Sequence, residues 1–251
     1  LGNSDITKFR IPGINWSIKD TTATEDYVLT VDANGEAGWE ASAGGGATDI
    51  DGLSDAKKLG TSTYGIGSGA LAAATAALDG NNNTAIGFDA GGGTKGNGAG
   101  NNPFQNTFVG STAGYGVNQT GSTAGNVAIG YRAMWFHTGC VYNVFIGKDA
   151  GAANSTGNSN CGIGESSSIL STTASQCTNV GRFSGRHITT GANNTSLGYE
   201  AGALTTTGSK CTSLGYQAIP STATSSNQFT LGGSYVTALR CQVQTISALS
   251  D

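Results

Sequence analysis

Histidine and cysteine side chains are the groups in this chain that could act as acid–base catalysts or nucleophiles. The two histidines, His137 and His187, lie 50 residues apart, and neither has a serine or cysteine partner at an equivalent position of the repeat described below. The sequence has no Walker A motif, no zinc-ligand spacing and no Gly-x-Ser-x-Gly. We therefore expect structural histidines, no catalytic residue, no metal and no cofactor, and the chain is not predicted to be an enzyme.

The five cysteines are predicted to be free thiols. Their number is odd and their spacing is unpaired, which argues against a disulfide framework. Cys177 and Cys211 take the repeat position that asparagine occupies in most other repeats. If coils stack at about 4.8 Å, these two residues lie about 9.6 Å apart, which is too far for a disulfide. We expect small, semi-buried thiols that replace asparagine.

An aromatic cluster is the candidate recognition site. Tyr131, Trp135 and Phe136 lie beside His137 within one stretch of the chain. Exposed aromatic rings next to polar groups are typical of carbohydrate or protein recognition. The alternative is that these rings fasten a wide loop to the fold or fill a subunit interface.

These residues belong to an array of repeats that must position them. An apolar residue followed by glycine, here called the repeat glycine, recurs every 17 residues through six consecutive intervals. The regular copies are Ile129-Gly130, Ile146-Gly147, Ile163-Gly164, Val180-Gly181, Leu197-Gly198, Leu214-Gly215 and Leu231-Gly232. Looser copies are Ile66-Gly67, Ile86-Gly87 and Val109-Gly110. A fixed period of this length is typical of a solenoid, in which each coil packs only against its neighbours.

The composition of one repeat predicts an all-β fold, a parallel β-roll or β-solenoid. Glycine and β-branched residues disfavour a helix, and linkers rich in Thr, Gly, Asn and Ser predict turns. We expect two short strands per repeat, with the apolar residue pointing inward and the glycine permitting a tight bend or a close approach. The extra residues of the longer repeats, at 91–103 and 113–125, should form loops on one side.

The thinness of such a coil predicts a homotrimer. A core of about two side chains cannot offset roughly 1.5 kcal/mol of ordering entropy for each residue of a coil. We therefore expect several chains to share one core. Parallel three-fold packing would place at the axis the small residues that follow the repeat glycine by three: Ala90, Ala113, Ala133, Ala150, Ala201 and Ala218.

Charge and hydropathy exclude two classes of partner. Only 11% of residues are charged and the formal net charge is −4, so the basic footprint of a nucleic-acid-binding protein is missing. No run of 18 apolar residues occurs, so membrane insertion is not expected. The chain begins at Leu1 without a charged-then-apolar leader, which indicates a processed or excised part of a longer polypeptide.

The Asn-x-Ala-Ile-Gly-x-x-Ala pattern of residues 83–90 and 126–133 resembles the head repeats of trimeric autotransporter adhesins, and similar repeats occur in trimeric bacteriophage tail fibres. Residues 27–39, an alternating strand, Asn34-Gly35 and a second strand, form a predicted hairpin and resemble small β-modules of such fibres. Residues 228–251 are similar to the neck before an endosialidase-type intramolecular chaperone. That chaperone trimerises the fibre and then cuts itself off. The resemblance implies an autocleavage junction at Ser250-Asp251.

Four regions are expected from these patterns: a small β-module at 1–41, a Gly-rich hinge and connector at 42–61, the adhesin-head-like repeats at 62–225, and a neck at 226–251 before a missing chaperone domain. The resemblance implies a structural and receptor-binding segment of a phage tail fibre in the virion. Its partners would be a host-surface glycan or protein receptor and other fibre or baseplate proteins.

Two other functions stay open at this point. The first is a bacterial adhesin head at the cell surface. The second is a left-handed β-helix acyltransferase, although that fold needs roughly three hexapeptide units per turn and this array has one per repeat. A threonine column for ice binding, at Thr178, Thr195 and Thr212, is interrupted at Val127, Val144 and Cys161.

Overall fold

The computed structural model describes residues 27–31, 37–41, 56–59, 62–72, 82–93, 103–116 and 122–238. The chain divides into two compact units, Leu1–Thr48 and Asp49–Asp251. The Gly-rich hinge at 42–46, most of an Ala-rich segment at 71–78 and Cys241 lie outside the described residues, as does the junction Ser250-Asp251.

The first unit contains the predicted hairpin. Strand β1 (Tyr27–Val31) pairs antiparallel with β2 (Ala37–Ala41), and Val31 lies opposite Ala37 at the closed end. Tyr27 lies opposite Ala41 at the open end, so the two five-residue strands pair over their whole length.

The second unit is a β-solenoid of about nine turns. Strand β3 (Ala56–Leu59) pairs antiparallel with β4 at one end of the sheet. Ten strands then pair in parallel and in chain order: β4 (Thr63–Ile66), β5 (Thr84–Ile86), β6 (Thr107–Val109), β7 (Val127–Ile129), β8 (Val144–Ile146), β9 (Cys161–Ile163), β10 (Thr178–Val180), β11 (Thr195–Leu197), β12 (Thr212–Leu214) and β13 (Phe229–Leu231). The described residues contain no helix. The expected all-β parallel solenoid is therefore confirmed.

Each repeat contributes one strand to the described structure, so the expectation of two was wrong. The rest of the coil consists of turns, because left-handed residues interrupt the extended backbone. In the coil after Gly147, Asp149 has φ 56° and Gly151 has φ 58°. These turns still stack, and the N–H of Phe136 donates to the Ala152 carbonyl one coil further on (2.8 Å).

The apolar residue before the repeat glycine points outward, which corrects the predicted inward orientation. Ile129 is 37% exposed and Leu197 is 52% exposed. Strand residues alternate between faces, so the middle residue of each strand from β5 to β12 is buried instead, as Ala128 and Phe145 are. The phase is set by asparagine four places before the glycine, because its side chain must lie inside to reach the turn carbonyls.

The small residue three after the repeat glycine lies in the core of the chain's own coil, not at an axis between chains. Ala90, Ala113, Ala133, Ala150, Ala201 and Ala218 are all fully buried. The core has room for one large side chain per coil. A Cβ at Gly151 would lie 2.5 Å from the ring of Phe145, whereas the coil with small Ala128 carries Met134 at the position equivalent to Gly151.

The repeat glycines are required both by conformation and by contact. Gly164 has φ +127°, and a Cβ there would lie 2.6 Å from the carbonyl carbon and oxygen of Gly181 in the next coil. The same close approach joins the repeat glycines from Gly67 to Gly198, each meeting the next one along. The prediction that glycine permits close approach is confirmed.

A ladder of buried asparagines joins the coils on the inside. The N–H of Asn143 donates to Oδ1 of Asn126 (2.9 Å), and Nδ2 of Asn126 donates to the Cys140 carbonyl (2.8 Å). Cys177 takes the place of asparagine: its N–H donates to Oδ1 of Asn160 (3.0 Å) and its Sγ to the Gly191 carbonyl (3.3 Å). The predicted free thiols are confirmed for the four cysteines that the structure describes, and Cys177 and Cys211 are fully rather than partly buried.

Candidate functional site

The predicted recognition cluster forms a surface patch around one arginine. Tyr131 and Phe136 are exposed, Trp135 is half-buried, and the ring centroids of Trp135 and Phe136 lie 6.0 Å apart. The Arg132 guanidinium lies 4.5 Å from the ring of Trp135 and 6.0 Å from that of Tyr131. This cation–π contact joins the two rings into one patch with an apolar surface and a cationic group.

Two left-handed residues turn these side chains outward. Arg132 has φ 55° and Met134 has φ 52°, so Met134 enters the core while Trp135 next to it stays at the surface. Arg132 Nε lies 3.4 Å from Oδ1 of Asp149 in the next coil, and Lys148 Nζ lies 2.9 Å from Oδ2 of the same carboxylate. The hydrogen bond and negative charge of Asp149 raise the pKa of Lys148.

His137 is separated from the surface patch. It is fully buried, its Nε2 lies 3.1 Å from the Gly114 carbonyl oxygen, and its ring centroid lies 6.5 Å from that of Phe108. Burial lowers its pKa to about 4. The neutral ring is therefore a core side chain, and the surface patch consists of Tyr131, Trp135 and Phe136 with Arg132. His187 is half-buried, and its Nδ1 contacts the Ala203 carbonyl.

Three of the described thiols are poor nucleophiles in this fold. Burial raises the pKa of Cys140 to about 12, and it also raises the pKa of Cys161 and Cys177. A raised pKa keeps each group in its unreactive thiol form. Within the described ranges, no group of three or more His, Cys, Asp or Glu side chains is placed to hold a metal ion, and no helix there is long and apolar enough to cross a bilayer.

A second aromatic set lies on the C-terminal coils and was missed from the sequence. It consists of Phe183, Tyr199, Tyr216 and Tyr235, one ring on each successive coil. The rings of Tyr199 and Tyr216 stack at 5.4 Å with an interplanar angle of 12°. The repeat pattern could have predicted this contact, because both tyrosines directly follow a repeat glycine. Equivalent positions in a parallel solenoid form a column.

An apolar column runs along the outer face of the sheet. It is made of the residues that precede the repeat glycines. Five of them, Ile86, Ile129, Ile163, Leu197 and Leu231, are exposed. The neighbouring outward column, two residues earlier in each strand, includes Val127, Val144 and the half-buried Cys161. One face of the sheet thus presents aliphatic side chains to solvent over many coils.

No family model, curated protein or solved structure matches the chain. Three surfaces of the described residues could bind a partner: the apolar column, the surface patch around Arg132 and the aromatic set on the C-terminal coils.

Proposed function

We propose that this chain is a structural and receptor-binding segment of a homotrimeric phage tail fibre that mediates host attachment from the virion. The observation that carries the proposal is the apolar column on the sheet face. Soluble proteins rarely expose a contiguous apolar surface of this kind unless a partner covers it. A sheet face of aliphatic side chains is stabilised when it packs against another element.

A second copy of the same chain fits this face best. Another copy carries the same column with the same spacing, so that every coil can meet an equivalent coil. Leu197 is 52% exposed, and covering the exposed half of a leucine contributes about 1 kcal/mol. Repetition along the coils makes the sum large even though each contact is modest. Three parallel copies would enclose the column on all chains.

Attachment is assigned to the side of the coil that bears the surface patch. Trp135 and Phe136 follow their repeat glycine by five and six residues. In the three longer repeats, the extra residues follow the equivalent positions in the sequence, which are Ala72, Gly93 and Gly116. The exposed rings of the surface patch suit contact with a host-surface glycan or protein. Three copies per fibre would raise the apparent affinity by avidity, and other fibre or baseplate proteins would join the ends.

The test is a pair of leucine variants from one coil. Leu197 and Leu204 are 52% and 49% exposed, but only Leu197 belongs to the apolar column. Leu197→Asp should dissociate the trimer because it places unpaired charges in the interface, while Leu204→Asp should leave it intact. Native mass spectrometry should give about three times 25.0 kDa for the parent chain and for Leu204→Asp. A monomeric parent, or equal masses for both variants, would contradict the proposal.

A further inference from the structure

The aromatic strip on the C-terminal coils is defined here as Phe183, Tyr199, Tyr216 and Tyr235. We propose that it is a binding track for an extended, uncharged polysaccharide. This deepens the proposed attachment function by naming a ligand class and a second site. It rests on that function only for its biological purpose, because the strip lies within a single chain.

The strip has the shape of a linear track. Neighbouring centroids are separated by 6.2 Å, 5.4 Å and 6.4 Å from Phe183 to Tyr235, so the rings form a continuous row along four coils. Such a row follows the axis of the solenoid. An extended chain molecule can contact every ring in turn, whereas a compact ligand could meet only one or two of them.

The rings expose both apolar surface and hydroxyl groups. Tyr216 is 56% exposed and Tyr235 is 75% exposed. The Tyr235 ring is tilted by 53° from Tyr216 instead of stacking on it. Sugars present C–H faces that pack on aromatic rings and hydroxyls that bond to polar tips, and tyrosine supplies both.

The charges beside the strip are paired, which favours an uncharged ligand. Arg182 Nε lies 2.8 Å from Oε2 of Glu165, and Arg186 lies 3.9 Å from Oε1 of Glu200. The Arg182 guanidinium also lies 4.2 Å from the Phe183 ring centroid. An acidic polymer would have to compete with Glu165 and Glu200 for these arginines, whereas a neutral one would not.

Polar groups next to the strip are already held in fixed positions. Nε2 of Gln217 donates to Oε2 of Glu200 (2.8 Å), one residue after Tyr216 and Tyr199 respectively. Fixed donors and acceptors beside aromatic surface are the arrangement that orients a small-molecule or glycan ligand. The amide oxygen of Gln217 can accept a hydrogen bond from a sugar hydroxyl.

Affinity electrophoresis of the full chain tests the proposal. The probes are neutral mannan, galactomannan and dextran cast into native gels, with anionic alginate for comparison. The parent chain should be retarded by at least one neutral polymer. Tyr216→Ala should weaken the retardation about two- to ten-fold, the range expected for one aromatic contact, while Tyr216→Phe should keep most of it. Tyr142→Ala is the matched control, because Tyr142 is 62% exposed and lies outside the strip.

Three results of the gel experiment would overturn the proposal. The strip is not a neutral-glycan site if no neutral polymer retards the parent, if alginate alone does, or if Tyr216→Ala and Tyr142→Ala behave alike. Native mass spectrometry of the same samples separates this failure from that of the trimer. If Tyr216→Ala alone dissociates the assembly, the ring is an interface residue and the trimer stands. A monomeric parent that still binds mannan through Tyr216 would refute the trimer but would leave the proposed glycan site in place.

Discussion

Replacing a single repeat glycine should destabilise the solenoid more than any surface change. In Gly164→Ala, the new Cβ would lie 2.6 Å from the carbonyl carbon and oxygen of Gly181 and 2.9 Å from the backbone nitrogen of Arg182. These neighbours are backbone atoms, so no side chain can rotate away. The coils also cannot separate freely, because the N–H of Gly181 donates to the Ile163 carbonyl at 2.7 Å.

The expected loss in the free energy of unfolding for Gly164→Ala is the sum of two separate costs. Alanine at φ +127° adopts a conformation that costs on the order of 1–3 kcal/mol. Forcing a methyl group against fixed backbone costs roughly 1–3 kcal/mol more. The sum is about 2–6 kcal/mol, which is a large part of the free energy of unfolding of an ordinary domain.

The matched control is the same substitution in an inner strand position. At Gly65 the backbone φ is not positive, the nearest contact of a Cβ is the Ala70 carbonyl oxygen at 3.3 Å, and the next coil carries Ala85 at the equivalent position. Gly65→Ala should change stability by about 1 kcal/mol or less. Urea denaturation followed by circular dichroism should separate the two variants. Both are measured at one protein concentration, because the proposed assembly would add to their stability. Equal unfolding midpoints would refute the stacking argument.

Two further predictions concern the inside of the coil. His137 is neutral in the core with a pKa of about 4, below the ordinary histidine value of 6.5, so the unfolded chain binds a proton first as the pH falls. Its contribution to the free energy of unfolding should therefore be complete above about pH 7. It should be lost between about pH 6.5 and 4, by up to about 3 kcal/mol. His137→Gln should flatten this part of a plot of urea midpoint against pH, and an unchanged slope would mean that another group titrates there. Cys177→Asn should raise the midpoint of thermal unfolding, because the new amide oxygen can accept from the N–H of Asn194 and complete the asparagine ladder. Such a hydrogen bond contributes about 0.5–1.5 kcal/mol. A lower midpoint would mean that the coil packs better around a thiol than around an amide.

The period and the composition of the repeat together were enough to predict the parallel β-solenoid. A repeated glycine with a fixed interval requires equivalent positions to stack, so the parallel register of Thr178 with Thr195, and of Thr195 with Thr212, follows directly. The equivalence of Cys177 with asparagine follows from the same alignment. Stacked tyrosines at 199 and 216 could have been found in this way, because a column needs only equal positions in successive repeats.

The inner and outer faces could not be assigned from hydrophobicity. An alternating strand has two possible phases, and the usual rule places the apolar residue inside. Here Asn126 and Asn143 occupy the inside, because their side chains bond to one another and to turn carbonyls. The left-handed turn residues were not predicted either, since Arg132 and Met134, unlike Asn or Asp, are not residue types enriched at positive φ.

The surface patch was predicted only in part for the same reason. The backbone changes direction sharply between these residues. Met134 and His137 therefore enter the core, while Trp135 and Phe136 between them remain accessible. Sequence proximity suggested a four-residue site. The backbone direction at each residue, which decides the matter, depends on left-handed conformations that the composition did not show.

The core of the solenoid is uneven along its length, and this has a consequence for the proposed trimer. The N-terminal coils bury Phe108, Met134 and Phe145, whereas the inner strand positions of β10, β11 and β12 are Asn179, Ser196 and Ser213. Polar and small side chains remove little apolar surface from water, so these C-terminal coils gain less stability from their own core. Exposed apolar side chains also lie on β11 and β13, namely Leu197, Phe229 and Leu231. If the proposed trimer covers them, we expect the C-terminal half to be the part of the chain that depends most on partner copies, because its own core contributes less stability.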